Sequence, residues 1–205
     1  MLFAATGGDL ELRRRAGGGF KLRGRFPYGK TATLSDGGRN GGRPRKERFA
    51  PKAFEYNVSR DDVNIHFLSG HRYDKPLASR KARTLELNDT DDALEFDATI
   101  TPEIEQTTWG RDFLSAFAAG LVTGLSPGFR LPPQRTVPNA ETVEDEDPSD
   151  GNAIIRTINA ALLFELSAVT QPAYDEAQIE ARNWKVSGVP TGATSRVDHL
   201  RRWRL

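Results

Sequence analysis

Apolar and polar residues alternate with period two along several short stretches, the pattern of strands with one buried face. From Phe20 to Tyr28, the residues Phe20, Leu22, Phe26 and Tyr28 alternate with Lys21, Arg23 and Arg25. Pro27 lacks an N–H, which argues for an edge position there. Val63, Ile65 and Phe67 alternate in the same way and run directly into Gly70 and His71. Thr84–Leu87 and Leu94–Ile100 read as an antiparallel hairpin across the acidic turn NDTDD. Between Pro102 and Leu121 the period changes. Trp109, Phe113 and Phe117 fall four apart with Leu114 and Leu121 beside them, predicting a helix that ends at Gly120. The run IIRTINAALLFELSAV is apolar in both parities from Ala160 to Val169, as suits a central strand or one lining a barrel.

Other segments carry weaker patterns. Residues 1–19 end in AGGG and are expected to be a partly mobile lead-in. Residues 36–46 (DGGRNGGRPRK) are turn-rich and basic, hence an exposed loop. Residues 132–152 combine three prolines with the acidic run ETVEDEDPSD and predict a long flexible excursion, with an acidic loop over about 134–152. Past Pro172, a short helix is expected around Tyr174–Arg182. The tail RVDHLRRWRL spaces Val197, Leu200 and Trp203 like a small amphipathic helix.

Composition narrows the class. The 205 residues, 37% apolar and 9% aromatic, suit one compact domain. No run approaches the roughly 20 apolar residues of a membrane-spanning helix. The first residues place charge after a short apolar stretch, the reverse of a secretory signal, so a soluble, untargeted protein is expected. The absence of cysteine removes disulfides, thiolate zinc sites and cysteine nucleophiles, and points to a cytosol-like compartment. The net charge of +1 conceals segregation: residues 1–60 hold 14 Lys and Arg against 5 Asp and Glu, a local net of +9, while acid concentrates at 86–112 and 141–150. A basic arm can bind nucleic acid. Its charges, however, are interleaved with strand-like apolar positions and Gly-rich loops, without aromatic stacking motifs, so solvated strand faces are favoured and specific nucleic-acid binding is not expected.

Candidate chemistry is sparse. The spacing GxxxxGK[ST] occurs at residues 24–31 (GRFPYGKT), but it overlaps the strand-like alternation of Phe20–Tyr28 instead of linking a strand to a helix, and no GxGxxG turn is present, so nucleotide-dependent chemistry has no support. Three histidines, His66, His71 and His199, lack metal-ligand spacing, and no metal or other cofactor is expected. The informative pair is His71 and Ser126. Gly70 precedes His71, and Gly124, Pro127 and Gly128 surround Ser126. Glycines beside a nucleophile let the backbone approach substrate and aim N–H groups at an oxyanion. A serine hydroxyl becomes a useful nucleophile once a base takes its proton, and histidine titrates near working pH. A turn serine fits the same local pattern.

Six segments, in order, resemble the prohead serine proteases of tailed bacteriophages, which are similar in fold to the herpesvirus assemblin proteases: GRFPYG (24–29), ERFAPKAF (47–54), FLSGHRYDKPLA (67–78), LEFDATI (94–100), GLSPGF (124–129) and FELSAVTQPAY (164–174). The resemblance implies an α+β, mainly β fold, a closed antiparallel β-barrel with surrounding helices, with the protease domain over 20–185 and a tail over 186–205. It implies His71 as general base and Ser126 as nucleophile. Glu165 stands at the acidic position of the motif and would orient the imidazole, with Asp74 and His66 as alternatives for that role. Pro127 departs from the pattern. Because it has no N–H, oxyanion donors would have to come from the backbone of Gly128 or near Arg130.

The implied activity is a serine endopeptidase of capsid maturation, working in the bacterial cytoplasm inside the assembling procapsid. Its implied substrates are the scaffold protein or the amino-terminal scaffold-like region of the major capsid protein. A homodimer stays open, as in the herpesvirus enzymes, and the basic tail is a candidate for recruitment to an acidic capsid or scaffold surface. A capsid-assembly protein that keeps the fold without activity, and a nucleic-acid-binding module, are the rival readings.

Overall fold

The structure is a computed structural model and describes residues 2–4, 10–38, 41–122 and 124–170. The strands assemble into three sheets. The first joins β1 (Leu2–Ala4), β2 (Leu10–Arg14), β3 (Phe20–Pro27), β9 (Ala93–Ile100) and β8 (Leu85–Asp89), in that order and antiparallel throughout. The second runs β10 (Gly124–Arg130), β13 (Leu162–Val169), β6 (His66–Ser69) and β7 (Arg72–Ser79). The third runs β11 (Glu141–Asp145), β12 (Ile154–Ile158), β5 (Arg45–Phe49) and β4 (Ala32–Ser35).

The expected closed antiparallel barrel is not found. The molecule is mainly β, but none of the three sheets closes on itself, and each presents two edges. Two pairings are also parallel, β13 with β6 and β12 with β5. The edge strand β7 shows why closure stops there. Pro76 lies within it and cannot donate to a further neighbour, and the β6–β7 register shifts on both sides of Leu68. Side-chain packing, not a hydrogen-bonded seam, joins the sheets. Phe67 of β6 stacks on Phe96 of β9, with ring centroids 5.0 Å apart.

Pro27, expected to mark an edge, ends a central strand. Among the described residues β3 pairs with β2 over Phe20–Gly24 and with β9 through Pro27, which stands opposite Ala93. The expected helix is interrupted. Thr107 is extended (φ −69°, ψ 159°) between α2 (Pro102–Gln106) and α3 (Thr108–Ala118), and its hydroxyl accepts from the Gly110 N–H to cap the second helix. The long apolar run is two strands in different sheets, broken at Asn159–Ala161. The helix near residues 174–182 and the tail helix fall outside the described residues.

The segregated charges meet in space. Within the acidic stretch expected as a loop, Glu141–Asp145 forms β11 and pairs with β12, which in turn lies beside the basic β5. Arg43 meets Asp145 at 2.6 Å, Arg48 meets Glu144 at 2.6 Å, and Lys46 pairs with Glu146. Arg156 bridges Glu47 at 3.0 Å and Glu141 at 2.6 Å, with Arg156 and Glu47 both buried. Much of the basic arm is therefore neutralised internally. Removing Arg156 would take away its bonds to the buried Glu47 carboxylate and to Glu141, so Arg156→Met is expected to destabilise the fold by about 3–5 kcal/mol, measured by denaturant unfolding.

Two contacts bring the core to the second sheet. Phe129 of β10 packs edge-on against Phe49 at 5.1 Å and near Phe54 at 6.3 Å, anchoring that strand in an aromatic cluster with Phe26 and Tyr28. In α1 (Glu55–Val58), the buried Asn57 donates to the Leu163 carbonyl at 2.7 Å and accepts from the Leu163 N–H at 3.0 Å. Its amide thus satisfies β13 where the β10–β13 register shifts.

Candidate active site

The β6–β7 hairpin turns on two residues, since Ser69 is paired with Arg72. Gly70 and His71 both have positive φ, +63° and +60°, the sign a type I′ turn requires at both central positions. Glycine takes that conformation at no steric cost, whereas histidine pays roughly 1–2 kcal/mol. The strained residue is held from the neighbouring strand. The Gly70 N–H donates to the Ala168 carbonyl at 3.0 Å, and the His71 N–H donates to Ser167 Oγ at 2.9 Å.

Strand β13 supplies the partners of the imidazole. Glu165 and Ser167 are two residues apart and share one face of the sheet. Glu165 Oε1 lies 2.7 Å from His71 Nδ1, and Glu165 Oε2 accepts from Ser167 Oγ at 2.6 Å. Glu165 is 4% exposed and Ser167 is 0% exposed. A buried carboxylate is costly unless its oxygens are bonded, and here each oxygen has a partner.

Ser126 comes to the same face by register. In the β10–β13 pair it stands opposite Ser167, and Gly128 stands opposite Glu165. Directly opposed residues of antiparallel strands have Cα atoms about 4.5–5.5 Å apart. Ser126, 8% exposed, is therefore one strand away from the hydroxyl that holds the His71 backbone. Gly128 fits tightly: a Cβ built there would stand 2.0 Å from Glu165 Oε1 and 2.7 Å from its carboxyl carbon. A side chain at 128 and the observed carboxylate position exclude each other.

The structure thus brings His71, Glu165 and Ser126 onto adjoining strands and separates the two alternatives for the orienting role. Asp74 is 64% exposed and is taken up by Arg72, whose guanidinium donates to both carboxylate oxygens at 3.0 and 2.8 Å. His66 stands opposite Glu165 in the β6–β13 register, but its Nε2 lies 3.1 Å from Asn64 Nδ2 and its ring packs edge-on to Tyr73. Arg130 ends β10 with its guanidinium over the Phe164 ring at 5.5 Å. His199 lies outside the described residues.

Burial lowers the pKa of His66, and the nearby Glu165 charge opposes that shift only in part. A histidine with a depressed folded-state pKa binds its proton more readily when unfolded. Its contribution to stability is therefore complete above the ordinary value near 6.5 and is lost as pH falls below it. The unfolding midpoint is expected to drop between pH 7 and pH 5, and His66→Gln should flatten that slope.

Two features escaped the sequence. Ser167 had a signal, since period-two alternation places it beside Glu165. The steric demand at Gly128 had none, because it depends on which strand lies opposite. Among the described residues no helix is long and apolar enough to cross a membrane.

No curated protein and no solved structure matches the chain. A family model described as caudovirus prohead serine protease matches residues 35–191, well over half of the 205, from β4 through β13 and beyond. That span contains the strand carrying Ser126, the hairpin carrying His71 and the strand carrying Glu165, and the chain belongs to the caudovirus prohead serine protease family.

Proposed function

We propose that the protein is an active endopeptidase of capsid maturation in which Ser126 is the nucleophile, His71 the general base and Glu165 the group that orients and charge-stabilises the imidazole. The observation that carries this reading is the 2.7 Å contact between His71 Nδ1 and a buried Glu165 oxygen, placed beside the strand that bears Ser126. Binding Nδ1–H to the carboxylate selects the tautomer whose Nε2 can accept a proton. Ser126 Oγ attacks the scissile carbonyl as His71 Nε2 takes its proton. Backbone N–H groups from Gly128 to Arg130 stabilise the oxyanion, Pro127 having none to give. His71 then protonates the departing amine, and water, activated by the same imidazole, releases the acyl group.

The substrates in this reading are the scaffold protein or the amino-terminal scaffold-like region of the major capsid protein, processed inside the procapsid. In this reading all three side chains come from one chain. Intact-mass measurement of the capsid and scaffold proteins co-expressed with this chain tests the proposal. A truncated product is expected with wild type and a full-length one with His71→Ala. Full-length products in both cases would instead favour a capsid-assembly protein without activity.

A further inference from the structure

We infer that Ser167 is a positioning residue of this site, a hydroxyl that locks the hairpin carrying His71 to the carboxylate that orients it; the inference rests on the proposed roles of His71 and Glu165. A serine hydroxyl has one proton and two lone pairs. The proton goes to Glu165 Oε2 at 2.6 Å, and a lone pair receives the His71 backbone N–H at 2.9 Å. The direction of both bonds is thereby determined. One buried atom fixes the backbone of the base and the unused oxygen of its partner.

The arrangement matters because one hydroxyl meets both groups. His71 sits at the tip of a two-residue turn with φ +60°, a left-handed conformation that is uncommon for a residue with a side chain. Glu165 has several rotatable bonds, and its Oε1 alone could swing about the contact with Nδ1. With Oε2 tied to Ser167, the carboxylate has two fixed points, and the ring that meets Oε1 is attached to backbone held by the same hydroxyl. Ser167 also stands opposite Ser126 in the strand pair. It therefore sets the spacing between the nucleophile strand and the base without touching substrate.

The test uses the full chain and diisopropyl fluorophosphate, so that it needs no knowledge of the bond cleaved. Ser167→Ala is expected to slow phosphorylation of Ser126 by roughly tenfold to a hundredfold, the scale of a misplaced catalytic group. It should also shift or abolish the far-downfield proton resonance of the His71 N–H donated to Glu165. Rates are taken per folded molecule from the unfolding curve. Ser167→Cys, of similar volume but a weak donor, should show the same slowing if the alanine variant does not fold. Labelling at the wild-type rate in the folded variant, or slowed labelling with an unchanged resonance, would overturn the positioning role and leave the base assignment standing. Failure of wild-type protein to label at Ser126 would instead remove the reading on which the inference rests.

Discussion

Ser126→Ala is expected to abolish cleavage while leaving the fold in place. Alanine differs from serine there by one oxygen, at a strand position paired with Ser167 in a backbone ladder that the change does not touch. The unfolding midpoint should therefore stay close to wild type. The chemical step has no substitute. The chain has no cysteine, and Ser167, the hydroxyl paired opposite Ser126, is fully buried with its proton committed to Glu165. Removing a serine nucleophile whose base is intact costs on the order of 10⁵- to 10⁶-fold in turnover. Residual activity within tenfold of wild type would mean that another residue attacks.

Gly128→Ala is expected to produce the next largest loss, through a residue with no side chain of its own. The added methyl would meet Oε1, the carboxyl carbon and Cγ of Glu165 at 2.0, 2.7 and 2.8 Å, well inside van der Waals contact. Backbone on both sides is fixed by the β10–β13 pairing, so the carboxylate must move, and moving it removes the contact to His71 Nδ1. Loss of the orienting carboxylate in a serine, histidine and carboxylate arrangement costs about 10⁴-fold in kcat. Turnover should fall to the level of Glu165→Ala, and the double variant should be no worse than either single one. Additive losses would place Gly128 in a separate role. By contrast, a Cβ at Gly70 meets nothing within 4 Å, so substitution there acts through its positive φ alone.

The local patterns in the sequence survive in the structure where they depend on near neighbours. The alternation through Phe20–Tyr28 and Leu94–Ile100 marks β3 and β9, and the NDTDD turn joins β8 to β9 as expected. What could not be read were pairings between distant segments. Residues 45–49 lie parallel to 154–158, and 66–69 parallel to 165–168, with roughly a hundred residues between the partners. Those crossovers turn the expected barrel into three open sheets. They also help explain why the acidic stretch is a strand: Glu144 and Asp145 are stabilised by Arg48 and Arg43, partners far away in sequence, and Glu141 by Arg156 of the adjoining β12.

The candidate site divides along the same line. His71, Ser126 and Glu165 were accessible because each stands in a short motif with its own composition. The pairing of both Asp74 oxygens with Arg72 is visible only in the structure. The charge distribution changes meaning as well. A basic arm that reads along the chain as solvated strand faces places Arg43, Lys46 and Arg48 against Asp145, Glu146 and Glu144 of the acidic stretch.

The most direct test of the account is to treat the full chain with diisopropyl fluorophosphate and map the adduct by peptide mass. A single adduct on Ser126 is predicted, absent in Ser126→Ala and strongly slowed in His71→Ala and Glu165→Ala. An adduct on a different serine in protein that still cleaves its substrate, or cleavage that persists in Ser126→Ala, would contradict it.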